Sequence, residues 1–351
     1  MQAVVYEKPW QMRMAELPDP EPGSGEVLLE VQSVGICGSD VHGFTGESGR
    51  RAPGMVMGHE VSATVVAHGP GTTGPPLGSR VAVYNIIGER APTPEEGDPS
   101  FMRKMMIGVN LGTRGAFAER IAVPQANAIP LDDAVPTAVG LLAEPLAVAG
   151  HAWDRLEGHA RATPERIAIL GSGTIGLASV LVTRHRLPGP RPPAVLDIVA
   201  AKAERAASFG ATAVVGDAET PPEAAAQQLV QALEGQPQVV VDAVGSEQSF
   251  RTATAAVADG GCILIIGNLA HEVPLPLQSA TSYEWTLIGC YGFDLDSFTA
   301  AVQLLPHYRD ELSSFIGHTC TLEEIPETIT AMAKGELQAL KVAVEVGAAR
   351  R

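Results

Sequence analysis

The sequence predicts an α/β protein with two domains, one rich in β-strands and one built on a doubly wound parallel sheet. Short β-rich runs separated by Gly and Pro fill roughly the first 130 residues. Strands alternate with helices from about residue 166 to residue 266. The length of 351 residues is sufficient for two hydrophobic cores.

The first part of the chain contains five β-rich runs, each bounded by turn residues. They are AVVYE, EVLLEVQSVGICG, GHEVSATVVAHG, GSRVAVYNIIG and GAFAERIAVP. This alternation of strand and turn residues is typical of a barrel-like β module. Residues 88–112 are rich in Pro, Glu, Gly and Met, and they are predicted to form a lobe or long loop.

The pattern changes near residue 132, where an Ala- and Leu-rich stretch has helical spacing. Pro145 lies within it and is expected to break or kink the helix. Strands and helices then alternate through RIAILG, AVLDIV, AKAERAASFG, VVVDAVG and GGCILIIG. This rhythm predicts the parallel sheet. The tail after residue 292 is predicted to contain one more helix, LEEIPETITAMAKGEL, and a short strand, KVAVEV.

The charge of the chain and its cysteine content indicate which binding partners are unexpected and which cellular compartment is favoured. The chain has 24 Lys and Arg against 40 Asp and Glu, a formal net charge of −16. Nucleic acids and anionic membranes are therefore unexpected partners, because binding them needs clustered positive charge. The start, MQAVVYEKPW, lacks a signal-peptide pattern, and the longest apolar runs are strand-sized. Four widely separated cysteines favour a reducing cytoplasm.

A glycine-rich turn lies between the strand RIAILG and the helix that follows it. Gly171 permits the tight turn, Gly173 allows close approach of a pyrophosphate, and Gly176 allows the helix to pack on the strand. Asp197 ends the next strand, 21 residues after Gly176, where a carboxylate binds ribose hydroxyls. The expected cofactor-binding residues are Gly171, Gly173, Thr174, Ile175, Gly176 and Asp197.

The choice of cofactor depends on Asp197. A carboxylate at this position repels a 2′-phosphate, and no Arg follows it within four residues, so NAD is favoured over NADP. The alternative is that this segment is a structural turn between a strand and a helix, with Asp197 an ordinary acid at the end of a strand.

The stretch GICGSDVHGF places several polar groups next to one cysteine. Cys37, His59 and a glutamate could supply thiolate, imidazole and carboxylate ligands to a catalytic zinc. Spacing alone is a weak signal, and three interpretations stay open for Cys37. It is a metal ligand, a nucleophile activated by His42 or His59, or a buried thiol. The other three cysteines, in apolar contexts, are predicted to be buried thiols.

The ordered motifs resemble those of the medium-chain, zinc-dependent alcohol dehydrogenase superfamily, with the polyol (sorbitol) and threonine dehydrogenases as the most similar branch. These motifs are GICGSDVHG, MGHEVSATVVAHG, GAFAERIAVP, LLAEPLAVA, ILGSGTIGL, DAVG and GGCILIIG. The resemblance covers essentially the whole chain. It implies a GroES-like catalytic domain formed by residues 1–145 with 292–351, and a Rossmann NAD-binding domain over residues 146–291.

The resemblance also implies a ligand set for the catalytic zinc. Cys37 and His59 match zinc ligands of the family, and Glu60 matches the adjacent carboxylate that binds zinc in polyol dehydrogenases. Glu144 lies where classical alcohol dehydrogenases have a second cysteine, and it is expected either to bind the metal or to hold a water molecule on it. Which of the two glutamates is the resting ligand stays open.

Three further polar residues of the same stretch match catalytic positions of the family. Ser39 matches the hydroxyl that contacts the substrate oxygen, and His42 matches the outer member of a proton relay. Asp40 matches the carboxylate that orients the zinc-binding histidine, a role that histidine ligands generally require.

Two departures from the family pattern bear on metal content and substrate. Many relatives bind a structural zinc through four cysteines in the segment that corresponds to residues 85–112, which contains none in this chain. One zinc per chain is therefore expected, and Met102, Met105 and Met106 in that segment form either an apolar patch or a substrate or subunit contact. Tyr291 and Gly292 replace an Arg-containing motif of sorbitol dehydrogenases, so a sorbitol-like substrate is not expected.

These observations together predict an NAD-dependent zinc dehydrogenase. It would oxidise a secondary alcohol of a polyol, sugar derivative or hydroxy amino acid to a ketone. The alternatives are a zinc-dependent reductase of ketones or aldehydes and a non-enzymatic nucleotide-binding protein on the same fold. By resemblance, the protein is also expected to be a cytoplasmic homo-oligomer, a dimer or a tetramer.

Overall fold

The structure is a computed structural model that describes residues 1–89, 104–110, 112–157, 159, 163–187, 189 and 191–347. The chain divides into two compact units. One contains residues 1–144 and 298–351, and the other contains residues 145–297. Each unit has its own cluster of buried apolar side chains.

Strands and helices are numbered in chain order over the described residues. The strands are β1 (Gln2–Lys8), β2 (Gln11–Glu16), β3 (Glu26–Ile36), β4 (Glu60–His68), β5 (Arg80–Val83), β6 (Ile86–Glu89), β7 (Lys104–Met106), β8 (Arg120–Pro124), β9 (Ala128–Pro130), β10 (Ile167–Leu170), β11 (Ala194–Asp197), β12 (Thr212–Val215), β13 (Val239–Asp242), β14 (Cys262–Ile265), β15 (Thr286–Gly289), β16 (Ile316–Thr321) and β17 (Lys341–Glu345). The helices are α1 (Gly38–Thr45), α2 (Thr137–Gly140), α3 (Ala143–Glu157), α4 (Thr174–Arg186), α5 (Ala200–Ser208), α6 (Pro222–Ala232), α7 (Glu247–Ala256), α8 (Leu277–Ser282), α9 (Leu295–Leu304), α10 (Arg309–Ser313) and α11 (Ile325–Ala333), with short 3₁₀ turns at Gln125–Asn127 and Leu305–Tyr308.

The first unit is built on a seven-stranded sheet with the order β16-β17-β3-β4-β5-β9, in which β8 also pairs with β3. β3 lies at its centre, and its residues alternate between the core and the opposite face up to Val31. An irregularity between Val31 and Ser33 shifts the pairing with β4. Beyond it, Gly35 is paired with Glu60 at the start of β4, which brings these two segments together.

The second unit is a six-stranded sheet with the order β12-β11-β10-β13-β14-β15, and all of its strand pairs are parallel. β10 lies near the middle of this sheet, with β11 and β12 following on one side and β13, β14 and β15 on the other. This is the strand order of the doubly wound dinucleotide-binding fold. The strands at its centre are buried along their whole length, as expected for a sheet with helices on both faces. The predicted doubly wound sheet is confirmed.

Local structure differs from the expectations in a few places. Pro145 is the third residue of α3, where its missing N–H costs no helical hydrogen bond, and the predicted break lies earlier, between Gly140 and Ala143. Strands β2, β7, β9 and β16 were not expected. Within the predicted lobe, β7 pairs with β6, while Met102 lies outside the described residues; Met105 is half-buried and Met106 is buried.

The three cysteines predicted to be buried thiols are Cys262, Cys290 and Cys320, and they are buried and free. Burial raises the pKa of the Cys290 thiol to about 11 despite the nearby charge of Arg155. Across the part of the chain that the structure describes, no helix is both long enough and apolar enough to cross a membrane.

Candidate metal centre and cofactor site

Three of the predicted zinc ligands lie together in the first unit. One donor atom from each of Cys37, His59 and Glu60 lies within 4.8 Å of the other two. His59 and Glu60 are only 3% and 1% exposed, whereas Cys37 is half-buried. The set combines sulfur, nitrogen and oxygen donors, which matches the ligands that zinc takes in proteins.

The fold explains why these residues meet. Cys37 follows the last residue of β3 and precedes α1, and His59 and Glu60 lie at the start of β4. Since β3 and β4 are paired, with Gly35 opposite Glu60, the two ends lie side by side. Gly35 is necessary for this arrangement, because a Cβ at that position would overlap the Glu60 carboxylate.

Glu144, in the first turn of α3, is the fourth predicted ligand. It is 6% exposed and lies outside the group of three donors formed by Cys37, His59 and Glu60. Burial raises the pKa of Glu144 to about 7. The charge of Glu60 raises this pKa further, while His59, Lys341 and a hydrogen bond with Asn85 oppose the rise. Glu144 is therefore a carboxyl group that can carry a proton near neutral pH.

Asp40 lies behind the imidazole of His59. Its Oδ1 atom is 3.5 Å from His59 Nδ1 and 3.8 Å from the guanidinium of Arg51, and its Oδ2 accepts a hydrogen bond from the backbone N–H of Cys37 at 3.1 Å. Burial opposes ionisation of Asp40, but the charges of His59 and Arg51 outweigh it and lower the pKa of this carboxyl. Asp40 therefore faces the ring nitrogen that a metal on Nε2 leaves free.

Ser39 and His42, the two predicted proton-relay residues, lie in different surroundings. The hydroxyl of Ser39 is 3.5 Å from Nε2 of His59, so it lies beside the metal donors. His42 is half-exposed, and its Nδ1 atom is 2.7 Å from a carboxylate oxygen of Glu47. An imidazole with Nδ1–H held by a carboxylate has Nε2 available as a proton acceptor.

Two residues at this centre were not predicted from the sequence. Lys341, the first residue of β17, is 3% exposed, and its Nζ atom lies 2.6 Å and 2.8 Å from the two carboxylate oxygens of Glu60. Asn85 is fully buried and donates from Nδ2 to the backbone carbonyl of His59 at 3.2 Å. The one sequence signal, a lysine that opens the strand KVAVEV, is weak, because a lysine at the end of a strand normally points to solvent.

The glycine-rich turn of the second unit has the geometry that binding of a dinucleotide requires. Gly171 has a φ of +86°, in the left-handed region that glycine adopts without strain. A Cβ on Gly176 would overlap the carbonyl oxygen of Gly171, so a larger residue cannot pack there. Gly173 is the N-cap of α4, and Thr174, Ile175 and Gly176 follow in the first turn of this helix. A Cβ added to Gly173 would meet no atom within 4 Å, so the space beside this residue is open. Free N–H groups at a helix start of this kind are favourable contacts for an anion.

Asp197 lies at the end of β11 and is hydrogen-bonded to the glycine-rich turn. Its Oδ2 atom accepts from the backbone N–H and the hydroxyl of Ser172, at 2.8 and 2.7 Å, and its Oδ1 accepts from Val199 N–H at 2.9 Å. A cavity of about 110 Å³ is lined by Gly171 and Asp197, among others. The carboxylate therefore lies beside both the phosphate-binding turn and a cavity.

Asp242, at the end of β13, is a further residue that the sequence analysis did not select. It is fully buried, and its carboxylate accepts hydrogen bonds from the N–H groups of Val244 and Gly245 and from the Ser249 hydroxyl. Burial raises the pKa of Asp242, although these three donors oppose the rise. Val244 in turn packs against Gly171, so Asp242 fixes one wall of the glycine-rich turn.

Comparison with known proteins assigns the chain to a family. Residues 23–133 match the alcohol dehydrogenase GroES-like domain, and residues 175–306 match the zinc-binding dehydrogenase family. Sorbitol dehydrogenase from Gallus gallus is 30% identical over 341 residues, which cover 95% of this chain and 94% of that protein.

Solved structures agree with this assignment. An alcohol dehydrogenase from Escherichia coli CFT073, in complex with NADH, has a TM-score of 0.83 and 25% identity, covering 98% of this chain and 99% of that one. Galactitol-1-phosphate dehydrogenase from Escherichia coli has a TM-score of 0.84 and 25% identity, with coverage of 98% and 100%.

The chain belongs to the medium-chain, zinc-dependent alcohol dehydrogenase superfamily. Within it, the chain falls in the branch of the polyol dehydrogenases, and it is an oxidoreductase. The predicted family is confirmed, and so is the predicted combination of a GroES-like domain with a doubly wound sheet.

Proposed function

We propose that this protein oxidises a secondary alcohol of a polyol or related sugar derivative to a ketone, with transfer of a hydride to NAD. The observation that carries the proposal is the group of Cys37, His59 and Glu60, whose donor atoms lie within 4.8 Å of one another. Its sulfur, nitrogen and oxygen donors fit a single catalytic zinc. The similarity to sorbitol dehydrogenase supports a polyhydroxylated substrate, although Tyr291 and Gly292 argue against sorbitol itself.

The two units take the two roles in this proposal. The unit of residues 1–144 and 298–351 is the catalytic domain, and the unit of residues 145–297 holds the dinucleotide. These bounds differ by a few residues from the predicted domains. One zinc per chain is proposed, because residues 85–112 contain no cysteine.

The chemistry divides between the bound groups and the protein. Zinc supplies a Lewis acid that lowers the pKa of an alcohol, and nicotinamide accepts the hydride. Ser39 Oγ, beside His59 Nε2, would accept a hydrogen bond from the substrate hydroxyl and release its own proton to the solvent side as it takes up the substrate's proton. His42 passes the proton to solvent, since its ring is half-exposed and is held at Nδ1 by Glu47. Asp40 keeps His59 oriented through Nδ1.

The choice of NAD over NADP is supported by Asp197. Its carboxylate is fixed by three hydrogen bonds at the edge of the cavity beside the glycine-rich turn. A 2′-phosphate on the adenosine ribose would face this negative charge, whereas ribose hydroxyls can donate to it.

The experiment that tests the proposal is metal analysis of the purified protein followed by a substrate panel. We expect about one zinc per chain and the appearance of NADH with one or more polyols or sugar alcohols. The same panel with NADP is expected to react more slowly. A protein that contains no metal, and that changes cofactor absorbance with no alcohol, ketone or aldehyde, would contradict the proposal. The expected homo-oligomer is checked by light scattering on the same preparation.

A further inference from the structure

A cavity of about 550 Å³ lies in the first unit, in a region that the proposed reaction does not use. It is lined by the middle of β3, residues 119 and 120 at the start of β8, the start of α2 and the end of β17. Its volume lies in the range of pockets that hold small organic ligands in proteins. None of the described residues that line it belongs to the metal centre or to the glycine-rich turn, so a ligand bound there would be separate from the reacting groups.

The charge on the walls of this cavity is mainly negative. Glu30, Glu119 and Glu345 contribute three carboxylates. Arg120 is the one basic residue among the described residues that line the cavity, and its Nη1 atom lies 2.5 Å from a carboxylate oxygen of Asp19. Because Asp19 balances the charge of Arg120, the three carboxylates favour a cationic ligand.

Ser33 adds a buried polar group to the same cavity. Its side chain is 1% exposed, and within the described part of the chain its hydroxyl has no hydrogen-bond partner. Buried polar side chains in proteins almost always have such a partner. The Ser33 hydroxyl is therefore available to accept a hydrogen bond from a ligand in the cavity.

An irregularity in β3 explains why Ser33 lines the cavity. Up to Val31, alternate residues of β3 lie in the apolar core, and a regular strand would place Ser33 there as well. The shift in pairing between Val31 and Ser33 places Val34 in the core instead. Ser33 then lies on the other face of the sheet, beside Glu345, its partner in the pairing of β3 with β17.

The spacing of the carboxylates indicates the kind of cation. Among the described residues, one group of three His, Cys, Asp or Glu donors lies within 4.8 Å, and that group is the metal centre. The three carboxylates of the cavity therefore do not converge on one point, as the ligands of a single metal ion do. An ammonium group donates up to three hydrogen bonds, and an aliphatic amine with several such groups can reach carboxylates that lie apart.

We propose that this cavity binds an aliphatic polyamine, a small organic cation with two or more ammonium groups. One ammonium donates to the Ser33 hydroxyl and the Glu345 carboxylate, which are neighbours across the strand pair, and a second contacts Glu30. The proposal does not depend on the proposed function, because the cavity shares no residue with the metal centre or the cofactor site.

The test is calorimetric titration of the whole chain with spermidine in about 0.1 M salt, which screens distant surface charges. We expect one spermidine per chain. Glu345→Gln and Glu30→Gln should each weaken binding about 10- to 100-fold, because each removes a charged acceptor of hydrogen bonds. Glu323→Gln is the matched control, since it removes an exposed carboxylate of the same unit, and it should bind spermidine as the wild-type protein does.

Ser33→Ala separates ligand binding from folding. Because the hydroxyl has no partner among the described residues, its removal should leave the urea midpoint of unfolding unchanged or slightly higher. The same variant should bind spermidine about tenfold more weakly, since the ligand loses an acceptor. Wild-type affinity in Ser33→Ala would contradict the proposed site.

Three further results would overturn the proposal. The first is the absence of spermidine binding by the wild-type protein at concentrations up to about 1 mM. The second is equal weakening by Glu345→Gln and Glu323→Gln, and the third is full displacement of spermidine by an equal concentration of Mg²⁺. Either of the last two would indicate attraction to the net charge of −16 and not to one cavity. A wild-type protein that binds spermidine but no zinc would contradict only the proposed function.

Discussion

On the proposed function, the metal centre and the glycine-rich turn both bind charged ligands, but they are built in opposite ways. The metal centre gathers side chains from the end of β3, the start of β4, the start of α3 and β17. The glycine-rich turn is one short segment, Gly171 to Gly176. Its backbone N–H groups would contact the ligand, and its glycines leave the space that the ligand and the helix need.

The difference lies in how each region handles charge. The metal centre buries carboxylates, and two of them have charged partners: Lys341 for Glu60, and His59 with Arg51 for Asp40. The turn presents neutral dipoles, and Asp197 lies at its edge, partly exposed. A substitution in the metal centre therefore removes a donor or a partner charge, whereas one in the turn fills space that a ligand or the helix needs.

The largest expected effect is that of Cys37→Ala, which should abolish zinc binding and leave NAD binding intact. Cys37→Ala removes the sulfur donor, and we expect the loss of bound zinc and a fall in dehydrogenase activity of at least about 1,000-fold. The affinity for NAD should stay within about twofold, because Cys37 belongs to the other unit. Metal analysis, turnover and cofactor fluorescence titration measure these three quantities. Cys320→Ala, which removes a buried thiol of the same unit, is the control. Full activity of Cys37→Ala would show that Cys37 is not a ligand.

Next comes the pH dependence of stability in the metal-free protein. The pKa of Glu144 is raised from 4.5 to about 7, chiefly by burial. Between these two values the folded protein keeps a proton that the unfolded chain has lost. Stability therefore falls as the pH rises through this window, by up to about 3 kcal/mol at pH 7 and above.

Replacement of the carboxyl tests that pH dependence. We expect the metal-free Glu144→Gln variant to lose about 3 kcal/mol less unfolding free energy than the wild type between pH 4.5 and pH 7.5. Urea unfolding at several pH values, after removal of metal with a chelator, measures it. Glu336→Gln, at an exposed glutamate, should follow the wild-type curve. Parallel curves for wild type and Glu144→Gln would disprove the raised pKa.

A reciprocal pair of glycine variants tests whether the two regions bind their ligands independently. Gly35→Ala places a methyl group on the Glu60 carboxylate, and Gly176→Ala places one on the carbonyl of Gly171. Overpacking of this kind costs roughly 1–3 kcal/mol. We expect Gly35→Ala to weaken zinc binding about 10- to 100-fold and to leave NAD binding unchanged, with the opposite result for Gly176→Ala.

The controls for this pair are glycines with open space around them. Gly38→Ala in the first unit and Gly150→Ala in the second would place a Cβ with no atom within 4 Å. Both should bind zinc and NAD as the wild-type protein does. If Gly35→Ala and Gly176→Ala each weaken zinc binding and NAD binding to the same extent, the two regions are not independent.

The smallest expected effect concerns cofactor choice. Asp197→Ser should raise the dissociation constant for NAD about tenfold, since hydrogen bonds to a charged group are lost, and should improve binding of NADP relative to NAD. Equilibrium titration with both cofactors measures the ratio. Asp259→Ser changes an exposed aspartate of the same unit and should leave the ratio unaltered. If the ratio of the NAD and NADP dissociation constants is unchanged in Asp197→Ser, Asp197 does not bind the ribose hydroxyls.

The two regions also differ in how far the sequence alone could predict them. The glycine-rich turn was predicted from its residues, because the groups that act together are neighbours in sequence and a strand and a helix flank them. The doubly wound sheet was predictable for the same reason, since its strands alternate with helices along the chain. Pro145 was misjudged because its effect depends on where the helix starts.

The metal centre could be predicted only through its resemblance to a family. Cys37 and His59 have no informative spacing, and the pairing of β3 with β4 brings them together. Lys341 could not be predicted, since its partner is 281 residues away and a lysine that opens a strand normally points to solvent. Asn85 was missed because a buried polar side chain is recognised by its partner, which the sequence does not give.

The distance along the chain between Glu60 and Lys341 has a consequence for biosynthesis. A nascent chain emerges from the ribosome with Cys37, His59 and Glu60 early, while β17 is among the last segments made. Until that strand joins β3, the Glu60 carboxylate lacks its cation. The buried ion pair of Glu60 and Lys341 therefore forms only after β17 has been translated, and a chain that ends before β17 leaves the Glu60 carboxylate without its partner.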